Sequence, residues 1–173
     1  LLGYDTCRSL LDQAGFDYIE FAKEQFEIDL GMDQAIPMLQ RLKSLGEQEG
    51  LIFGVKLTNT FPVKIQNKEL PGDTMYMSGK SLYPLTIYVA KALGDALDGK
   101  VMISYSGGVD DGNIKELFTI GIWPITVCTI LLQGRGYDAL KTLAEACESF
   151  NYEDISKTID LRKLHKLEDG LNE

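Results

Sequence analysis

The stretch Leu51-Ile-Phe-Gly-Val-Lys-Leu57 decides the fold class of this chain. Nearly every position in it is apolar, which is typical of a strand in a parallel sheet that is covered on both faces. Shorter patterns of the same kind predict strands over 100–105 and 124–129, and the alternation over 17–21 predicts another. A helical pattern lies between each of these strands and the next.

The helical patterns repeat apolar residues three and four positions apart. The predicted helices lie over 7–14, 33–46, 84–97, 114–118 and 137–147. Asp33 can cap the second of them, and Pro84 suits the first turn of the third. Residues 61–77 show no clear period and hold two prolines, so we expect an excursion there, a hairpin, between a strand and a helix.

This order of strands and helices predicts a parallel sheet with right-handed crossovers. A chain of 173 residues is too short for a complete (β/α) barrel of about 250 residues. Four predicted strands are about half of such a barrel, but an open doubly wound sheet would give the same alternation. Residues 1–150 hold this pattern, and the more polar residues 151–173 are predicted to form a helical tail or linker.

The composition excludes several classes of function. The net charge is −9, from 17 lysines and arginines against 26 aspartates and glutamates, which argues against a nucleic-acid or anionic-membrane surface. No apolar run reaches the roughly 18 residues of a membrane span, and no signal peptide is visible. Three cysteines without a CxxC pair and a single histidine argue against a metal site and for a cytoplasmic chain with reduced thiols. Since no initiator methionine precedes Leu1, we expect a piece of a longer polypeptide.

The residues that could carry chemistry follow the predicted strands. In parallel α/β folds, ligands bind at the carboxyl ends of the strands. The first such end holds Lys56, whose amine could lie near an electron-rich ring or carbonyl, and Asn59, which offers both a donor and an acceptor. The simpler interpretation of Lys56 is a lysine paired with an acid.

Two further strand ends match a phosphate site. Gly107-Gly108 lets the backbone approach a ligand before a helix begins, and Cys128-Thr129 ends the next strand. Two successive loops of this kind match the phosphate site after strands 7 and 8 of barrels, which favours the C-terminal half of a TIM barrel. Ser78-Gly79 is either another contact or a helix cap, and a glycine pair alone more often makes only a turn. Cys128 is interpreted as a small packed side chain and not a nucleophile, because no histidine lies near it in the sequence.

Four ordered motifs resemble a known family. They are Val55-Lys-Leu-Thr-Asn-Thr-Phe61, Met75-Tyr-Met-Ser-Gly-Lys-Ser-Leu-Tyr-Pro-Leu85, Ser104-Tyr-Ser-Gly-Gly-Val109 and Trp123-Pro-Ile-Thr-Val-Cys-Thr129. They resemble the "putative selenate reductase" large-subunit family of flavin and iron–sulfur oxidoreductases. The barrel of that family is similar to the FMN domain of dihydropyrimidine dehydrogenase and to dihydroorotate dehydrogenase, and the resemblance covers most of residues 1–150.

This resemblance implies a set of FMN contacts. In the relatives, FMN is held by a Ser-Gly before a helix, a Gly-Gly after strand 7 and a Gly/Cys-Thr/Ser pair after strand 8. The corresponding pairs here are Ser78-Gly79, Gly107-Gly108 and Cys128-Thr129. Asn59 resembles the strand-end asparagine beside the pyrimidine substrate. Lys56 departs from the family's Lys-Leu-x-Pro pattern and could be a different lysine from the one that contacts the flavin; no catalytic base is recognisable.

The resemblance also implies the role of the whole chain. It would contribute the phosphate side of an FMN site to a multidomain flavin-dependent oxidoreductase, in which the cofactor transfers a hydride. Iron–sulfur clusters and FAD or NAD(P) would belong to other domains of the parent. The isolated piece is expected to be inactive, with a barrel-inward face rich in Ile, Val and Leu that needs the missing N-terminal half-barrel or closes as a homodimer. The alternatives are another phosphate-binding TIM-barrel enzyme, an isomerase or lyase, and a degenerate barrel that acts as a non-catalytic scaffold.

Overall fold

The computed structural model describes residues 1–27, 29–68, 70–150 and 158–171, and most of its helices and strands lie where the sequence predicts them. The helices are α1 (Tyr4–Gln13), α2 (Met32–Gln48), α3 (Leu82–Ala96), α4 (Ile114–Ile120), α5 (Asp138–Cys147) and α6 (Leu161–Gly170). The strands are β1 (Gly54–Leu57), β2 (Phe61–Lys64), β3 (Thr74–Met77), β4 (Met102–Ser106) and β5 (Ile125–Thr126). None of the described helices is long and apolar enough to cross a membrane.

Strands β1, β4 and β5 form one parallel sheet in that order. The register pairs Lys56 with Ser104 and Tyr105 with Ile125. Strands β2 and β3 form a separate antiparallel hairpin between β1 and α3, which confirms the predicted excursion over 61–77. The α/β class with parallel strands alternating with helices is confirmed, and the described residues form a three-stranded parallel sheet and no closed barrel.

The two faces of the parallel sheet differ in polarity. Successive side chains of a strand point to opposite faces, so the register places Leu57, Ile103 and Tyr105 together on the face that packs against the helices. The opposite, inner face carries the alternate residues, which are Gly54, Lys56, Met102, Ser104, Ser106 and Thr126. The prediction of an inward face rich in Ile, Val and Leu is therefore wrong, because the branched apolar side chains of the strands pack against the helix layer.

Strand boundaries also differ from the prediction. Strand β1 begins only at Gly54, because the amide of Leu51 donates to the carbonyl of Gly46 at the end of α2, and Leu51 and Ile52 are exposed. Strand β5 ends at Thr126, before a 3₁₀ turn over Thr129–Leu132. The prediction that residues 51–57 form a strand buried on both faces of the sheet is therefore wrong.

Helix α3 lies between two apolar clusters, which explains why residues all around it are buried. One side of it joins the main core with the sheet, α4 and α6, through residues such as Ile87 and Leu93. On the other side of α3, its residues Leu82 and Leu85 pack against α1 and the hairpin. Helix α2 begins at Met32 with no side-chain cap, so the predicted cap by Asp33 is wrong, and Asp33 lies in the first turn.

No strand forms over 17–21. Phe21 instead packs in an aromatic group with Tyr4, Phe26 and Phe61, at ring-centroid distances of 5.2–5.7 Å. The guanidinium of Arg8 donates to the carbonyls of Phe16 and Ile19, which occupies backbone acceptors that a sheet would use. The alternation that predicted a strand reflects packing on α1.

Helix α6 is part of the main core. Ile159, Leu164 and Leu167 are buried in it, and a Cβ built at Gly94 of α3 would lie 3.0 Å from the side chain of Leu161. The predicted division of the chain at residue 150 stays a prediction, because residues 151–157 lie outside the described residues.

Leu164→Ala is expected to destabilise the domain by about 2–5 kcal/mol, because Leu164 is 0% exposed and its loss leaves a cavity between α6 and α3. The measurement is the free energy of unfolding in urea. Lys166→Ala, on the exposed face of the same helix, is the control and should change it by less than about 0.5 kcal/mol. Equal effects of the two substitutions would contradict the placement of α6 in the core.

Candidate functional site

Three loops meet at the carboxyl ends of the parallel strands and enclose a cavity of about 260 Å³. One loop follows β3 and leads into α3, one follows β4, and one follows β5. Each contributes a predicted pair, namely Ser78-Gly79, Gly107-Gly108 and Cys128-Thr129 respectively. Six of the eight predicted site residues therefore line one cavity. Contacts of these residues with FMN stay a prediction.

The loop after β4 fits against the start of α3 only without a side chain at Gly108. This residue has φ +74°, and a Cβ on it would lie 2.8 Å from the carbonyl oxygen of Gly79 and 3.0 Å from the Cα of Lys80. Gly107, at φ +136°, is similarly close to Leu82 and Thr58. The glycine pair thus makes more than a turn: it allows two of the three loops to touch.

The polar groups of the cavity wall are mostly neutral. Within the described residues, the backbone amides of Gly108 and Thr129 donate to no protein acceptor. The hydroxyl of Thr129 lies 3.3 Å from that of Ser78, so the loop after β5 is tied to the loop before α3. Backbone amides without a protein acceptor, together with nearby hydroxyls, can bind an anion without a cationic surface.

An ion pair lies at the rim of the cavity. The amine of Lys80 is 2.8 Å from Oδ2 of Asp110, and this hydrogen bond raises the pKa of the Lys80 amine above its usual value. A second pair, Arg135 with Asp111 at 2.9 Å, lies next to it and lowers the pKa of the Asp111 carboxyl. Both acids that follow the glycine pair are thus compensated by a base.

Two tyrosines support the glycine pair from the core side. The Cβ of Tyr83 would lie 3.0 Å from a side chain at Gly108, and the rings of Tyr83 and Tyr105 are 6.2 Å apart. Burial raises the pKa of both hydroxyls, so both rings stay neutral. The support behind the loop is therefore uncharged.

Lys56 lies on the inner face of the sheet and not in the helix layer. Its register partner is Ser104, and two residues further along β4 the side chain of Ser106 lines the cavity on the same face. Lys56 is therefore on the same face of the sheet as Ser106, but it does not line the cavity itself. Within the described residues, no acid forms an ion pair with Lys56, so the simpler interpretation of an ion-paired lysine is not supported.

Asn59 lies apart from this cavity at the strand ends. It lines a neighbouring cavity of about 150 Å³ with mainly apolar walls, and Thr58 and Leu82 belong to both cavities. Cys7 also lines this second cavity, and burial raises the pKa of its thiol to about 12, so it is not a reactive thiolate.

Several residues of the first cavity were not predicted. The polar or charged ones among them include Thr58, Thr60, Lys80, Ser106, Asp110 and Thr126. Ser106 and Thr126 could have been found from the two-residue alternation of their strands, since they are polar positions at strand ends. Cys128 is exposed, so its interpretation as a packed side chain is wrong, although it does border the loop as expected.

The whole of residues 1–173 matches the family described as "Oxidoreductase YgfK, N-terminal TIM-barrel domain". The chain belongs to this family. Among curated proteins, "Putative oxidoreductase YgfK" of Escherichia coli strain K12 and of strain O157:H7 are each 44% identical to it over 167 residues. The matched region is 96% of this chain but only 16% of each relative, so the chain spans about a sixth of their length. No solved structure matches.

Family membership confirms the oxidoreductase resemblance and the TIM-barrel fold at this general level. The selenate reductase relationship, FMN and the iron–sulfur clusters stay predictions. No cluster of three or more histidine, cysteine, aspartate or glutamate side chains suited to a metal ion occurs in the part of the chain that the structure describes.

Gly108→Ala is expected to separate the loop after β4 from the start of α3 and to destabilise the domain by more than about 1 kcal/mol. The control is Gly15→Ala, because Gly15 has a similar φ of +77° but no atom within 4 Å of a built Cβ. Thermal unfolding of both variants separates backbone strain, which they share, from the steric clash that only Gly108→Ala suffers. Equal losses would show that the two loops do not touch as described.

Proposed function

We propose that this chain supplies the phosphate side of an FMN site in a larger flavin-dependent oxidoreductase. The observation that carries the proposal is the convergence of Ser78-Gly79, Gly107-Gly108 and Cys128-Thr129 on one cavity. In TIM barrels, a phosphate site of this kind lies at the carboxyl ends of the last two strands. Membership of an oxidoreductase family supports a redox cofactor over the sugar phosphates of isomerases and lyases.

The chemistry of the cavity suits a phosphate ester. The unused amides of Gly108 and Thr129 can each donate to a phosphate oxygen, and so can the hydroxyl of Ser78, which accepts from the hydroxyl of Thr129. A volume of about 260 Å³ is slightly below the range of whole cofactor pockets, which begins at roughly 300 Å³. The cavity would therefore take the phosphate end, with the flavin ring on the open inner face of the sheet.

The inner face carries the groups that a flavin ring would meet. Lys56, Ser104 and Thr126 lie there, and Lys56 brings a positive charge. A bound flavin supplies hydride transfer, and a nearby cation stabilises the negative charge that a reduced flavin ring carries. The role of Lys56 is to hold a positive charge beside the ring and to orient the ring, while the glycine loops fix the phosphate.

The rest of the barrel would complete this site. Strand β1 is an edge strand of the parallel sheet, and its free backbone groups favour pairing with another strand. Exposed apolar residues also occur on the preceding helix and just before β1; these are Met38, Leu42 and Leu45 of α2, with Leu51 and Ile52 before β1. We propose that further β/α units of the same parent polypeptide, the N-terminal half-barrel, pack there. A homodimer of half-barrels is the competing arrangement.

The direct test is the cofactor content of the full-length protein. It should purify with flavin absorption bands, and the released ligand should be FMN and not riboflavin. Lys56→Met should weaken flavin binding about tenfold, the loss of one charge-assisted hydrogen bond, without changing the melting temperature. Lys64→Met, at an exposed position of β2, is the control.

A colourless full-length protein that takes up no FMN would overturn the proposal. If it bound another phosphate ester at the same loops, the chain would instead belong to a different phosphate-binding barrel enzyme. If it bound no phosphate compound at all, the scaffold interpretation would replace both.

The isolated chain is expected to self-associate through the β1 edge and α2. Leu42 and Leu45 are 48% and 47% exposed there, so Leu42→Glu with Leu45→Glu should reduce association by placing charges in the contact. Size-exclusion chromatography with light scattering gives the measurement, and Leu140→Glu, at 45% exposure on α5, gives the control. A dilute monomer of 19.3 kDa that unfolds cooperatively would contradict the half-barrel arrangement.

A further inference from the structure

Lys80 and Asp110 are the charged side chains among the described residues that line the phosphate-type cavity. They come from two different loops, since Lys80 follows Ser78-Gly79 and Asp110 follows Gly107-Gly108. Their ion pair at 2.8 Å therefore spans the line where the two loops touch. Neither residue was among the predicted contacts.

The two partners differ in how firmly they are held. The Oδ1 atom of Asp110 accepts from the amide of Gly112 at 2.9 Å, and its own amide donates to Oδ1 of Asn113 at 2.9 Å. Asn113 in turn donates to the carbonyl of Gly108 at 3.0 Å, so the carboxylate is fixed to the glycine loop. The side chain of Asp110 is 20% exposed, whereas that of Lys80 is 66% exposed and bonds to no other side chain among the described residues. The base is the movable partner.

A fixed carboxylate at the wall of an anion site opposes the binding of a phosphate. A phosphate monoester near neutral pH carries about −1.5 to −2 charges, so an uncovered Asp110 would repel it strongly at short range. The second base of the rim does not cover it, because Arg135 is engaged by Asp111 and by the hydroxyl of Thr142. Lys80 is left as the compensating charge.

We infer that Lys80 and Asp110 form a charge selector for the phosphate group: Lys80 shields the ligand from Asp110 and can bond to both anions. This inference rests on the proposed phosphate site. In this arrangement Lys80 is a positioning residue for the phosphate end of the cofactor. Asp110 opposes the binding of a phosphate ester when the Lys80 amine does not lie between them. The binding of riboflavin, which has no phosphate, should not change when either residue is substituted.

The test measures equilibrium binding of FMN and of riboflavin to the full-length protein, stripped of cofactor and followed by fluorescence quenching. Lys80→Met should weaken FMN binding about tenfold or more, because it removes a donor and uncovers Asp110. Asp110→Asn should strengthen it, and Lys80→Met with Asp110→Asn should return to within about threefold of the wild type. Lys80→Arg should keep most of the affinity, and riboflavin binding should stay constant throughout.

The matched control is Lys100→Met. Lys100 pairs with Asp98 at the same distance of 2.8 Å and is 65% exposed, but it lies after the far end of α3. Lys100→Met should leave FMN binding unchanged. The melting temperature of every variant should stay within a few degrees of that of the wild type.

The outcomes separate this inference from the proposed function. If the wild type binds FMN no better than riboflavin, the phosphate site itself is wrong and the inference fails with it. If FMN binds better than riboflavin but Lys80→Met matches the wild type, the site stands and the charge selector is overturned. A double variant as weak as Lys80→Met would also overturn it, because Asp110 would then exert no effect on the ligand.

Discussion

Strands β1, β4 and β5 pair in parallel, so alternate side chains point to opposite faces of the sheet and the carboxyl ends of the three strands lie at the same edge. Leu57, Ile103 and Tyr105 go to the helix layer and are buried there. Their neighbours along the strands go to the inner face, which is why that face is rich in hydroxyls and carries Lys56. A single constraint of backbone hydrogen bonding therefore separates the part that stabilises the fold from the part that is available to a ligand.

Helix α3 connects this sheet to the rest of the molecule. It is buried on one side by the sheet and α6 and on the other by α1 and the hairpin, so its position is fixed from both directions. Its first residues and the preceding Gly79 touch the glycine loop after β4. The geometry of the cavity thus depends on the packing of a 15-residue helix along its whole length, and α6 contributes to it without reaching the cavity.

Much of this arrangement could be predicted from the sequence, and the failures have identifiable causes. The helices and the two main strands follow from local periodicity, and the paired glycines after β4 need left-handed backbone that few other residues tolerate. The segment over 17–21 misled the prediction because apolar alternation is equally satisfied by packing on α1, with Arg8 capturing its carbonyls. Strand propensity does not show whether an alternating segment pairs with another strand or packs on a helix.

The site was predictable in part for the same reason. Glycine and small residues at strand ends are local signals, and the parallel order implies that strand ends share an edge. The Lys80–Asp110 pair is not a local signal, because 30 positions separate its members and only the contact of two loops brings them together. The polarity of the inner face was also missed, because the strand at 51–57 was interpreted as buried on both sides when Gly54 and Lys56 already alternate with Val55 and Leu57.

The net charge of −9 and the proposed anion site are compatible because they act over different distances. Charges elsewhere on the surface are screened beyond about 8–10 Å at ordinary ionic strength. Within that distance, what a phosphate meets is set by the amides of Gly108 and Thr129, by hydroxyls, and by acids that each have a basic partner. An acidic protein can therefore exclude long polyanions, which sample its whole field, and still accept one small phosphate. In the proposed site, anion selectivity would be a property of loop geometry and of two local ion pairs, and we expect a substitution at Lys80 to alter it more than several charge changes on the distant helix faces.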